Sequence, residues 1–469
     1  MKPTSEGTYI ALALLALNAI WASFAPTTFN AAFALLAFLA LVPSVLRSAP
    51  AYVVAMSPLL FYWTTELLSG IAIEGGAFMV ETDATGSPTG AFARLALIYA
   101  ALFLAGRQVW RTDPLQSVAI PQTKGFMGEG VIIFASFALI GSFFLFGALN
   151  GFPLLEGIDR YAYRRGIGSD ALTSFLDNKT IYFTLIGMAA ASGRHRRAAA
   201  ALFVLGISIS LLYGEKFTTI VEGFLFFFIP VILQRFAVAN PLPLRQLAYG
   251  GAAAIAVTVP AILINYGALY DFETAIYQLA ARASLQGQLW FLVDRDYGHL
   301  FALNAESIAA AVRSLYTLSE QSQFVAGTSH GMYFVMEPYT DVEKLYWTMY
   351  AGGGFIFAHF PYWLMVSGYA GMLLVGLLTV LTLSWVTKRT VLALRHTDPI
   401  SLVIWLKVLV WIYAGFVLGN FWFFYGVKTL VLILAACLWD ALAAAMRQRN
   451  APEVEGTSTR APKLIRRVA

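Results

Sequence analysis

Residues 129–149 read EGVIIFASFALIGSFFLFGAL, a run whose only ionisable side chain is Glu129 at its first position. At 1.5 Å per residue a helix of that length matches the roughly 30 Å hydrocarbon core of a bilayer. Working outward, similar runs recur on both sides, at 8–24, 29–46, 51–72, 91–106, 179–192, 198–213, 217–234, 246–267, 362–386, 399–418 and 426–446. The composition agrees: 59% of the 469 residues are hydrophobic and 12% are charged, against about 25% charged in soluble domains. Disordered, fibrous and water-soluble classes are excluded. The expected fold is an all-α polytopic membrane protein of about twelve transmembrane helices. Residues 1–446 form a single transmembrane domain, and 447–469 a disordered basic cytoplasmic tail near anionic lipid. The sixth run is short, which predicts a helix that is tilted, broken or partly buried in protein. The opening Met1-Lys2 precedes an uncleaved first helix rather than a removed signal. Cys437 is the sole cysteine, so neither an intrachain disulfide nor a thiolate metal site arises.

Orientation follows from Lys and Arg in short connections. With both termini cytoplasmic, the inside segments hold 19 of the 31 basic residues, while the outside connections 25–28, 73–90 and 419–425 hold none. The excess of basic residues thus marks cytoplasmic loops, not nucleic-acid binding. Two outside segments exceed what a turn needs, 150–178 and 268–361. The second has helix signals of its own. Asn304 can cap a helix over 305–320 whose Ile308, Val312, Leu315 and Leu318 share a face, and Thr340-x-x-Glu343 is a capping-box pattern opening another. Interleaved Tyr277, Trp290, Phe291, Leu292, Tyr333, Phe334, Tyr346 and Trp347 suit pieces that lie on the outer interface or fold back over the bundle. The layout expected is a large helical periplasmic loop between helices nine and ten.

Cations on the wrong side carry the functional information. Arg160, Arg164 and Arg165 fall in Asp159-Arg160-Tyr161-Ala162-Tyr163-Arg164-Arg165-Gly166, Arg282, Arg295, Arg313 and Lys344 in the long loop, and Lys216 in the turn Tyr213-Gly214-Glu215-Lys216-Phe217. Arginine's planar fork suits bidentate contact with phosphate, so a convergent group would make a site for a lipid-linked diphosphate. Salt bridges to Asp159, Asp170, Asp294 and Asp296, or contact with headgroups, are the plainer alternative for any one of them. Glu215 and Glu222 lie seven residues apart and share a helix face, and intramembrane carboxylates usually face a bundle interior. An ion pair tying two helices is the simpler account of Glu215-Lys216, and a buried polar staple that of Glu66. His299, His330 and His359 are expected outside, where a histidine can take a proton from a sugar hydroxyl. No His, Asp and Glu grouping has metal-ligand spacing, so no metal or cofactor is expected.

The Gly-x-Lys turn opening an apolar helix, the long outside loop with Arg and Gln ahead of Trp290, and Ala358-His359-Phe360-Pro361-Tyr362-Trp363-Leu364 followed by Gly368-x-x-Gly371 occur in that order. This arrangement resembles the O-antigen polymerase and O-antigen ligase superfamily of GT-C-like bacterial envelope glycosyltransferases. The resemblance implies polymerisation of undecaprenyl-diphosphate-linked oligosaccharide repeat units at the periplasmic face of the inner membrane, by metal-independent inverting transfer. It implies His359, then His330, with Glu337 or Glu215 as carboxylate alternatives, as proton acceptor. Arg160, Arg164, Arg165, Lys216, Arg282 and Arg295, with Tyr161 and Tyr163, would hold the diphosphate and glycan. The partners implied are lipid-linked oligosaccharides, membrane lipids and a chain-length regulator protein. Lys216 stands where the family's arginine does, and Phe360 where its asparagine follows the histidine. Ligase, and a lipid-linked glycan flippase or secondary transporter, are the rival readings.

Overall fold

A computed structural model describes residues 6–110, 128–215, 217–237, 272–317, 331–350, 356–417 and 426–449, with a few isolated positions between. Before the long loop come α1 (Glu6–Phe24), α2 (Thr28–Ser48), α3 (Pro50–Ala55), α4 (Ser57–Glu74), α5 (Ala91–Gln108), α6 (Glu129–Asn150), α7 (Pro153–Glu156), α8 (Arg160–Ile167), α9 (Asp170–Asp177), α10 (Lys179–Ser192), α11 (Arg196–Leu212) and α12 (Phe217–Ala237). There follow α13 (Phe272–Leu285), α14 (Gln288–Tyr297), α15 (Ala305–Thr317), α16 (Gly331–Met336), α17 (Val342–Tyr350), α18 (His359–Arg395), α19 (Pro399–Val417) and α20 (Val427–Arg449). One antiparallel hairpin, β1 (Phe78–Met79) with β2 (Ala84–Thr85), joins α4 to α5, with Phe78 opposite Thr85.

Among the described residues seven helices are long and apolar enough to cross a membrane: α1, α2, α5, α6, α18, α19 and α20. The chain is a multi-pass, all-α membrane protein. Other expected spans have a different build. The run 51–72 is divided between α3 and α4 at Met56, whose φ of −90° and ψ of 6° leave the helical register ahead of Pro58. α10 is short as expected, at 14 residues, and most of it is buried. The ninth expected span, 246–267, lies almost wholly outside the described residues, as do 450–469 of the tail.

Two apolar cores form. One unites α1 to α5 with α14, α16, α18 and α19, and the other unites α6 with α9 to α12. α10 packs on both α12 and α19 and joins the two.

The long segment folds back on the first core. Trp290 is fully buried and donates its indole N–H to the Ala91 carbonyl at 2.9 Å. Asp294, also buried, accepts from Arg94 at the start of α5 and from the Tyr369 hydroxyl. Phe291, Leu292 and Tyr333 are buried with Trp290, whereas Tyr277, Tyr346 and Trp347 remain exposed. The Asn304 cap forms as expected, Ser307 N donating to Asn304 Oδ1 at 3.0 Å. At α17 the cap differs from expectation. Thr340 gives its hydroxyl to the Glu81 carbonyl at 3.0 Å, and Asp341 accepts from Glu343 N at 3.1 Å. The hairpin has taken the threonine, and the neighbouring carboxylate serves the helix end instead.

α18 is broken at Gly368, where φ is 69° and ψ is 178°, a conformation essentially confined to glycine. The backbone groups freed there are met by the long segment: Tyr369 N donates to the Leu300 carbonyl at 2.8 Å, and the Ser367 carbonyl accepts from Asn304 N at 3.4 Å. A Cβ at Gly368 would stand 2.6 Å from the Ala302 carbonyl oxygen and 2.9 Å from that of Leu300. Gly368→Ala should therefore cost about 1–3 kcal/mol. Thermal unfolding in detergent should show a clear fall, and an unchanged midpoint would show that the 300–304 strand does not seat in the break.

Candidate functional site

The site grows from α8. Asp159 caps it, accepting from Tyr161 N at 2.9 Å and Ala162 N at 3.3 Å, and Gly168 closes it in the left-handed region. Arg160 and Arg164, four residues apart, consequently lie on one face. Tyr163, three residues on from Arg160, is buried, and its hydroxyl is donated to the Gly151 carbonyl at 2.6 Å. Its ring lies 6.2 Å from that of Tyr213. Tyr163 thus pins the arginine helix to the ends of α6 and α11.

Glu215 arrives from the turn between α11 and α12, its N–H donated to the Ser210 carbonyl at 3.0 Å. Its side chain is 6% exposed and collects three cations. Arg164 pairs with it directly, Arg160 Nη1 is 3.6 Å away and Lys179 Nζ 3.8 Å away. The same Lys179 Nζ lies 3.4 Å from Glu222, which also accepts from the Tyr62 hydroxyl of α4. Glu215 lies in the turn before α12 and not on it, so the two carboxylates do not share a helix face; they meet instead at the one ammonium of Lys179. Close packing of α10 on α12 makes this reach available. Gly187 approaches the Phe227 backbone so nearly that an added Cβ would be 2.2 Å from its carbonyl oxygen, the small-residue contact typical of membrane helices.

The surroundings are polar and carry charges of both signs. Arg160 donates to the Tyr161 hydroxyl at 2.7 Å and its guanidinium sits 4.6 Å over that ring. Burial works against the charge of Arg160, yet Tyr161 and Glu215 together hold its pKa above the ordinary value. Asp177, at the end of α9, has its pKa pushed up by burial, with Arg164 and Lys179 opposing. Lys407 reaches from the middle of α19 to Asn178 Oδ1 at 2.8 Å. Asp177, on which Arg164 and Lys179 act, adds a third carboxylate to Glu215 and Glu222, so the three cations and three carboxylates balance. An anion with several acceptor oxygens could exchange with Glu215 between the two guanidinium forks.

The other expected residues disperse. Arg165 is exposed and stacks 5.3 Å over the Tyr350 ring. Arg295 pairs with its neighbour Asp296 at 2.7 Å on the surface, and Glu337 is exposed just beyond α16. His359 is 1% exposed, its ring 4.8 Å from Phe416 and 5.4 Å from Phe360. Lys216, His330 and the Arg282 side chain lie outside the described residues. Glu66, read as a buried staple, is 1% exposed and accepts from the Tyr99 hydroxyl. Among the described residues no three His, Cys, Asp or Glu side chains gather as a metal site requires.

Sequence reasoning missed Lys179, Tyr62, Lys407 and Arg94. A boundary signal existed for two of them. Lys179 and Arg94 stand at the outer rims of runs that are otherwise apolar there. Lys407 gave another, a charge in the middle of an apolar run, whereas Tyr62 gave none, because its role depends on which helix faces it.

Removing the Glu215 charge should leave three cations gathered without their main counter-ion, an arrangement that typically costs about 3–5 kcal/mol. Glu215→Gln should lower the unfolding midpoint, and inorganic pyrophosphate should restore part of the loss. Restoration that persists when Arg160 and Arg164 are also changed to Gln would show that the anion acts elsewhere.

A family model described as "Family of unknown function (DUF6418)" matches residues 325–433. The matched stretch takes in α16 to α19 and the beginning of α20, and leaves α8, α10 and α12 outside it. No curated protein and no solved structure matches the chain.

Proposed function

We propose that the chain is a membrane glycosyltransferase that extends undecaprenyl-diphosphate-linked oligosaccharides, an O-antigen type polymerase of the bacterial inner membrane. The proposal includes twelve spans, cytoplasmic termini, and α7 to α9 with α13 to α17 on the periplasmic side. The observation that carries it is the convergence of Arg160, Arg164 and Lys179 on Glu215 where α8, α10 and α12 meet. Loop-charge bias gives no reason for cations on that side, and forks held by a capped helix are preorganised for a diphosphate.

In the transfer, a hydroxyl oxygen of the acceptor unit attacks the anomeric carbon of the donor glycan. A new C–O bond forms as the bond to the diphosphate oxygen breaks, and the configuration inverts. The negative charge that grows on the departing diphosphate is met by the two arginines and Lys179. The hydroxyl proton goes to a base. Glu222, with its side chain 18% exposed and a single nearby cation, is better placed for this than Glu215, which is held by three, or than the enclosed His359. Ligation of finished glycan to another lipid would use the same steps. A flippase reading has one observation of its own, the charge of Lys407 at mid-helix.

In a deletion strain complemented with variants, Arg164→Ala should reduce long glycan by about a hundredfold while the protein accumulates normally. Arg164→Lys should recover little, since a point charge lacks the bidentate fork. Full polymer from the Arg160→Ala/Arg164→Ala double variant would overturn the assignment. Purified protein in liposomes should elongate lipid-linked glycan in the presence of EDTA. Activity lost to chelator and regained with magnesium would exclude the metal-independent mechanism, and movement of the lipid across the bilayer without elongation would favour the flippase.

A further inference from the structure

One surface remains unexplained by the cation cluster and adjoins it. On α17, Tyr346, Trp347 and Tyr350 are 55%, 60% and 61% exposed, while Leu345 and Met349 on the other side are buried. Apolar side chains normally turn inward, so three large aromatic residues turned outward on one short helix call for an occupant. The helix is fixed in that attitude. Lys344 Nζ donates to the Val80 carbonyl and the Thr340 hydroxyl to that of Glu81, tying α17 to the hairpin after α4. The rings of Trp347 and Tyr350 lie 5.8 Å apart at 82°, two walls of a corner. Over the Tyr350 wall sits the guanidinium of Arg165, 5.3 Å from the ring centroid. Arg165 follows Arg164 in α8, about 100° further round the helix, so the corner adjoins the diphosphate cluster across the next face of α8.

We propose that Tyr346, Trp347 and Tyr350 form a saccharide-stacking platform that holds the first sugars of a lipid-linked glycan whose diphosphate occupies the Arg160–Arg164 site. This rests on the function proposed above. A pyranose has an apolar C–H face that packs on an aromatic ring and a hydroxyl rim that needs donors and acceptors. The corner supplies both: two ring walls, the Arg165 guanidinium as donor, and the exposed Glu343 carboxylate, one turn before Tyr346 and Trp347, as acceptor. Asp341 and Glu343 offset Lys344 and Arg165, so the face has no net positive charge to favour the other use of such a face, insertion among anionic headgroups. A sugar attached to a diphosphate begins within a few ångströms of the phosphate, which matches the adjacency of Arg164 to Arg165.

The test uses full-length protein in lipid nanodiscs, with two probes. Farnesyl diphosphate reports on the cation cluster, and an array of defined bacterial oligosaccharides free of lipid reports on the platform. Wild-type protein should bind both. Trp347→Ala and Tyr350→Ala should each weaken oligosaccharide binding about tenfold and leave farnesyl diphosphate binding unchanged, with Trp347→Phe retaining most of the affinity. Oligosaccharide binding unaffected in both Ala variants would overturn the platform, as would quenching by brominated lipids of the Trp347 fluorescence, taken as the difference between wild type and Trp347→Phe. Farnesyl diphosphate bound with no oligosaccharide bound would also reject the platform while sparing the cluster. Oligosaccharide bound through α17 without farnesyl diphosphate would instead reject the diphosphate reading.

Discussion

A carboxylate removed from water must be paired, and Glu215 is the place where this protein meets that requirement with three cations at once. The consequences extend through one end of the molecule. To reach Glu215, α8 must lie across the ends of α6 and α11, which the Tyr163 hydroxyl secures. To bring Lys179 near both Glu215 and Glu222, α10 must cross α12 closely, which Gly187 permits. To give Glu222 its remaining hydrogen bond, α4 of the other core must present Tyr62. Removing one partner from such a group costs more than the pair itself contributes, so the contacts are mutually dependent.

The same cluster is poised rather than saturated. Guanidinium groups have more donors than one carboxylate can satisfy. A phosphate group would present more oxygens and more charge than Glu215 does. Glu215 and the cap of α8 hold the guanidinium forks in place, the preorganisation that lets charge stabilisation act without rearrangement.

A second buried carboxylate, Asp294, plays a purely architectural part. Its bonds to Arg94 and Tyr369 fasten the long segment beside the break in α18. In a membrane protein an interrupted helix is tolerated only where other groups satisfy its backbone, and residues 300–304 do so here. The segment is thus an integral layer of the first core, with Trp290 at its centre, and α17 carries its exposed aromatic face out beside α8.

The membrane character, the helical class, the shortness of α10 and the Asn304 cap could all be read from the chain. Each depends on local spacing or on the free-energy cost of apolar surface, which the order of residues encodes directly. The division of 51–72 at Met56, the transfer of the α17 cap from Thr340 to Asp341 and the break at Gly368 could not. Nor could the choice of Arg160 and Arg164 over Arg295, or the recruitment of Lys179, Tyr62 and Lys407. A charge finds its partner across helices distant in sequence, and a hydroxyl or backbone group is claimed by whichever neighbour arrives. Sequence fixes which groups need partners, but only the packing of one helix on another decides which partners they get.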